Sequence, residues 1–147
     1  VVKFFTMLAE GFDLVSGSRY LPESKVIGTP PGQRRQINEC VTSKLNSMTG
    51  WSLTDAFCGF KGYRVDALSK LHLTELGYGF PLQLWIQAFR ANFRIVELAV
   101  PRVYLNVERT FGEQLDDPTN RLQYYRRVIE DEWGKQTDCQ GFGNECE

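Results

Sequence analysis

The sequence predicts an α/β fold. Segments with apolar residues at helical spacing alternate along the chain with short β-rich runs. The breaks between them fall at Gly and Pro. The 147 residues, with a hydrophobic fraction of 42% and a charged fraction of 24%, are enough for one domain with a sizeable core.

Taken in order, residues 1–10 carry Val1, Phe4, Phe5 and Leu8 at helical spacing and read as the end of an amphipathic helix that Gly11 stops. Residues 12–16 form a short apolar strand, with Gly17 and Ser18 as its exit. This helix–turn–strand order is one unit of an α/β domain. Residues 18–32 contain three Pro, two Gly and three Ser or Thr, and no periodicity survives there. They read as a long loop of the kind that often serves function. Residues 33–48 place Ile37, Val41, Leu45 and Met48 on one helical face, with Cys40 beside them. Arg34 and Arg35 sit in the first turn, where the helix dipole disfavours cations. Guanidinium groups at a helix start can serve a bound anion or simply be solvated.

Residues 54–64, Thr-Asp-Ala-Phe-Cys-Gly-Phe-Lys-Gly-Tyr-Arg, are the stretch around which the chain is organised. Cys58, Phe60 and Gly62 alternate with Gly59, Lys61 and Tyr63 at the period of a strand. This puts Asp55 at the mouth of the strand, with Lys61 and Arg64 near its far end. A short helix is expected over 66–71, with Val65 and Leu68 facing in. His72 has no nucleophile or ligand partner nearby and reads as structural. Pro81 marks a helix start after Gly77-Tyr78-Gly79-Phe80, and Leu82, Trp85, Ile86 and Phe89 form its apolar stripe. Residues 94–100 are β-rich, Pro101 interrupts them, and Val103-Tyr104-Leu105 can continue as a second short strand. Asp116-Asp117-Pro118 is a helix start, and the helix runs to about Trp133 with Leu122, Tyr125, Val128 and Ile129 inward. Residues 134–147 read as a polar tail.

The bulk numbers exclude several functions. A net charge of −1 argues against a nucleic-acid binder. No apolar run reaches the roughly 18 residues that a membrane span needs, and no signal peptide is visible. Cys40 and Cys58 read as buried thiols, and Cys139 and Cys146 are able to pair although nothing demands it. The default compartment is a reducing cytoplasm. The chain begins with Val1 inside a predicted helix and reads as a piece lacking the first half of its parent.

Asp55-x-x-Cys58-Gly59-Phe60-Lys61-x-Tyr63-Arg64 resembles a motif of glycosyltransferase family 2, in the branch similar to dolichyl-phosphate mannosyltransferases. Asp13 to Tyr20, Gly77 to Phe80, Arg94 to Val100 and Arg109-Thr110-Phe111-Gly112-Glu113 resemble further family segments in the same order, together covering residues 1 to 130. The resemblance implies the C-terminal part of a GT-A (Rossmann-like) three-layer fold with a mixed sheet. Residues 1–133 would be the acceptor-side half. It implies an inverting transfer of a sugar from a UDP- or GDP-sugar to a lipid-linked phosphate or saccharide, at the cytoplasmic membrane surface. It gives Arg19, Arg34 or Arg35, Lys61 and Arg109 to acceptor or diphosphate binding. It also gives Asp55 a place beside the acceptor, as a general base toward a hydroxyl or as a holder of Lys61 and Arg109 toward a phosphate.

The family's Asp-x-Asp motif is absent. A divalent cation, Mg or Mn, is therefore expected only in the full-length enzyme, and this chain alone is expected to be inactive and metal-free. Gln83 stands where related sequences often carry Glu, and Gln114-Leu115 stand where lipid-phosphate enzymes often show Ser-Lys. The alternatives are a non-catalytic α/β binding module and a scaffold that self-associates through the face left by the missing half.

Overall fold

The structure is a computed structural model that describes residues 1–28, 32–103, 111–112 and 114–135. Helix α1 (Val2–Ala9) leads to strand β1 (Leu14–Ser18), and Gly11 makes the turn between them at φ +93°. Strand β2 (Val26–Ile27) and helix α2 (Gly32–Thr49) follow. Next come β3 (Lys61–Tyr63), the single turn α3 (Val65–Leu68) and helix α4 (Phe80–Arg90). Strands β4 (Ile95–Ala99) and β5 (Arg102–Val103) precede the last helix, α5 (Pro118–Gly134).

The main sheet has the order β3-β1-β4 and is mixed: β1 runs antiparallel to β3, pairing Val15 with Gly62, and parallel to β4, pairing Ser16 with Glu97. Strand β1 is buried along its whole length, as a central strand covered on both faces should be. Helix α1 packs over β1 and β3. A Cβ on Gly62 would meet Leu8 at 3.2 Å, so the bare glycine lets that helix sit close. Beneath the other face lies the core, where Leu14, Val41, Leu45, Leu82, Trp85, Ile86, Tyr125 and Ile129 are buried together from β1, α2, α4 and α5. Strands β2 and β5 form a separate parallel pair.

Several expectations are corrected. The strand expected through residues 58–63 is only Lys61–Tyr63, because side chains take the backbone groups before it: Asp55 Oδ1 accepts from Phe57 N, and Lys61 Nζ donates to the Cys58 carbonyl. Strand β1 runs on through Gly17 and Ser18, held by parallel pairing to Leu98 and Ala99. The loop at 18–32 contains β2, whose residues are exposed. In α3 it is Ala67, 1% exposed, that faces in, while Val65 and Leu68 are 83% and 38% exposed; a one-turn helix has only one inward position here. Cys58 is buried as expected, but Cys40 is exposed on α2.

The helix starts match their sequence signals. Pro81 lies in the first turn of α4. Asp117 caps α5, its carboxylate accepting from Thr119 N and Asn120 N. Among the described residues no helix is long and apolar enough to cross a membrane.

Candidate functional site

The site is assembled by the loop after α2 at the open end of β1. Glu97, on β4, accepts hydrogen bonds from Thr54 N at 2.8 Å, Thr54 Oγ1 at 2.8 Å and Asp55 N at 3.1 Å, fixing the loop to the sheet. Ser18 Oγ and Thr54 Oγ1 share a further bond of 2.5 Å. Burial pushes the Glu97 carboxyl up from its ordinary value, and its bonds to Thr54 and Asp55 only partly oppose this.

Asp55 is fully buried, at 0% exposure. Its Oδ2 accepts from Arg19 Nε at 2.7 Å and Arg19 N at 3.1 Å. Its Oδ1 accepts from Arg19 Nη2 at 2.9 Å, Asn38 Nδ2 at 2.8 Å and Phe57 N at 3.2 Å. These five bonds leave the carboxylate no free direction toward a substrate. Burial alone would push the acid up, but the bidentate guanidinium overcomes it and holds the carboxyl below the usual range. The same pairing raises Arg19. Asn38 is oriented in turn by Thr42, one helical turn on, whose hydroxyl donates to Asn38 Oδ1 at 2.9 Å and accepts from Ala56 N at 3.1 Å.

Arg19 keeps about a third of its side chain exposed, at 33%, and that part faces a cavity of about 650 Å³. The cavity wall carries the guanidinium groups of Arg19, Arg34 and Arg121 and the rings of Phe57, Tyr78, Phe80, Phe111 and Tyr125. Among the described residues no acidic side chain lines it. Phe111 lies between two cations, with Arg34 Cζ 5.0 Å and Arg121 Cζ 4.3 Å from its ring centre. Arg121 is 4% exposed and also donates to the Leu115 carbonyl at 2.9 Å.

The candidates named from sequence therefore separate. Arg19 and Arg34 reach the cavity, and Asp55 stands behind Arg19. Arg35 lies on the outer side of α2, bonded to Glu39 at 2.7 Å, with its guanidinium 5.7 Å from the Tyr20 ring. Lys61 turns inward instead of lining the cavity. Its ammonium donates to Ser16 Oγ at 2.8 Å and sits 4.8 Å from the Trp85 ring centre, and burial depresses it to about 8. Arg109 lies outside the described residues.

Asn38, Glu97 and Arg121 escaped the reading from sequence. Asn38 and Thr42, polar at i and i+4 beside an apolar helix face, and Glu97, a lone acid within Ile95–Ala99, were the signals available.

Gln83 is held on both sides of its amide by protein groups. Its Oε1 accepts from Thr74 N and Glu75 N, each at 2.8 Å, and its Nε2 donates to Thr74 Oγ1 at 3.0 Å and to buried Glu132 at 2.9 Å. Among the described residues no group of three or more His, Cys, Asp or Glu is placed to hold a metal ion. Asp55 already accepts five hydrogen bonds from protein donors and Glu97 three. No chemistry here is assigned to a divalent cation.

No family model matches the chain, and no solved structure matches it. Two bacterial proteins do. Over 104 residues the chain is 36% identical to the undecaprenyl-phosphate mannosyltransferase of Micrococcus luteus, covering 69% of this chain and 41% of that protein. Over 127 residues it is 29% identical to the polyprenol monophosphomannose synthase of Mycolicibacterium smegmatis, covering 84% of this chain and 45% of that protein. The chain spans less than half the length of these relatives. Most of this chain thus finds its likeness in proteins named undecaprenyl-phosphate mannosyltransferase and polyprenol monophosphomannose synthase.

Proposed function

We propose that this chain supplies the acceptor side of a family 2 glycosyltransferase of GT-A type that transfers mannose from a nucleotide sugar to a polyprenyl phosphate. The observation that carries the reading is the cavity, to which the described residues contribute three arginines and five aromatic rings and no carboxylate. Guanidinium forks match phosphate oxygens, and aromatic walls suit an isoprenoid chain. The names of the two relatives support the same acceptor and sugar. Arg121, held at Leu115, offsets the Ser-Lys pair missing at 114–115.

An acceptor phosphate arrives as an anion. One of its oxygens attacks the anomeric carbon of the sugar while the bond from that carbon to the diphosphate breaks. The displacement inverts the centre and needs no general base. Asp55 then acts as a positioning residue. It holds Arg19 in one orientation so that the guanidinium meets the phosphate without losing side-chain freedom at binding. The donor nucleotide and a divalent cation belong to the whole enzyme in this reading.

Calorimetry with farnesyl phosphate, farnesol and inorganic phosphate tests it. Farnesyl phosphate should bind at least tenfold more tightly than either part alone, and Arg19→Ala or Arg121→Gln should each lower that affinity about tenfold or more, the worth of one charge-assisted contact. Equal binding of farnesol and farnesyl phosphate would remove the phosphate from the site and sink the proposal.

A further inference from the structure

The segment beside the cavity mouth carries three apolar side chains turned to solvent: Leu76 at 99% exposure, Tyr78 at 48% and Phe80 at 38%. A loose loop would explain such exposure, but this one is pinned. Tyr124 Oη donates to Glu75 Oε1 at 2.6 Å and accepts from Gly79 N at 3.1 Å, and Glu75 Oε1 also accepts from Gly77 N at 2.8 Å. A Cβ on Gly79 would stand 2.8 Å from Val128 Cγ2, so the glycine lets the loop lie against α5 while Leu76 points away from the protein.

The rim is continuous with the cationic wall. Tyr78 packs edge-on against Phe111 at 5.1 Å, and Phe111 lies between Arg34 and Arg121. Outermost is a fully exposed aliphatic side chain, then two amphipathic or aromatic rings, then guanidinium groups. This is the order of polarity met on leaving a bilayer from the acyl region through the headgroups. The one carboxylate in the segment, Glu75, is occupied by Tyr124 and Gly77. Arg19 and Arg34 on the adjoining cavity wall complement the charge of an anionic lipid surface, and the exposed carboxylate of Asp116, which accepts from Phe111 N, is the opposing charge beside them.

We infer that the Leu76–Phe80 rim inserts into the interface of an anionic membrane and seats the cavity mouth at headgroup level. The inference rests on the acceptor reading, since a polyprenyl phosphate presents its phosphate at that level. It adds the surface through which the chain reaches it.

The test is co-sedimentation of the full 147-residue chain with vesicles of phosphatidylcholine and of phosphatidylcholine mixed with phosphatidylglycerol, neither containing a polyprenyl phosphate. The chain should partition onto the phosphatidylglycerol vesicles, and added salt should weaken this. Leu76→Asp should lower the partition coefficient about tenfold, the effect of losing one buried aliphatic side chain. Leu76→Met should retain it. Phe5→Asp, which removes another exposed ring (67%) on α1, should leave it unchanged.

Three results overturn the inference: no binding of the parent chain, equal binding by Leu76→Asp, or a loss of thermal stability in Leu76→Asp that shows another part of the protein covers the residue. Farnesyl phosphate binding in solution, measured on the same samples, separates the two proposals. Its absence defeats the acceptor reading, and its persistence in Leu76→Asp alongside lost vesicle binding assigns the rim to the membrane.

Discussion

At the scale of the residue, Asp55 is defined by its partners. It is buried at 0% exposure and both its oxygens accept hydrogen bonds from protein donors. In the proposed function its effect passes through Arg19. Asp55→Asn keeps the shape and removes the charge, leaving an amide that faces the donors of Arg19 and Asn38. Because Arg19 is a third exposed and can turn to water, the expected cost is about 1–3 kcal/mol rather than the full value of a broken buried pair. Urea denaturation measures it. Farnesyl phosphate affinity should fall in the same variant although Asp55 does not line the cavity. Affinity retained at full strength in a folded Asp55→Asn protein would show that Arg19 needs no partner. That Asp55 is special was legible in its motif. That its partner is Arg19 was not, because the pair is separated by 36 residues and meets only when β1 and the loop after α2 are brought together.

At the scale of the element, α4 and α5 are joined by a buried polar cluster. Glu132 accepts from Gln83 Nε2 at 2.9 Å, Gln87 Nε2 at 2.8 Å and Lys135 Nζ at 2.6 Å. Burial would push the Glu132 acid up, but these donors hold it below its ordinary value. The departure at position 83 then has a local reason: a Glu there would oppose Glu132 and lose the amide donor. Gln83→Glu should destabilise the chain by about 2–3 kcal/mol at neutral pH, with part of the loss recovered as the pH falls and one of the pair takes a proton. Urea midpoints at pH 7 and pH 5 check this, and a variant as stable as the parent at pH 7 would exclude the clash. The extents of α4 and α5 were readable from Pro81 and Asp117. The Gln83–Glu132 contact was not, since it spans 49 residues.

For the whole molecule, stability at alkaline pH reports on the buried Lys61. Below pH 8 its amine is charged in both folded and unfolded chains, and its burial is a constant penalty. Between about 8 and the ordinary 10.5 the unfolded chain binds the extra proton, so the penalty is relieved and stability rises with pH. Cys58, pushed up by burial, and Tyr63 and Tyr125, pushed up to about 12, act in the opposite sense, since the unfolded chain loses those protons first. The difference between the parent and Lys61→Met isolates the amine. From pH 7.5 to 10.5 the parent should gain about 1–3 kcal/mol relative to the variant in urea denaturation. A difference independent of pH would place the ammonium in contact with water.

Taken alone, the sequence determined the α/β class, the helix starts at Pro81 and Asp117, the central position of residues 54–64, and the resemblance to a glycosyltransferase family. All of these depend on residues close together in the chain, where period, capping and motif order are local properties. Only the tertiary structure decided which charges share a site. It placed Arg19 and Arg34 with Arg121 on one cavity, turned Lys61 inward against Trp85, and set Arg35 on the outer side of α2. It also joined Asp55 to Arg19 in an ion pair. The physical reason is that a charged group's role depends on its burial and its partners. Those are fixed by the packing of β1, β4, α2 and α5, whose contributing residues lie far apart in the chain.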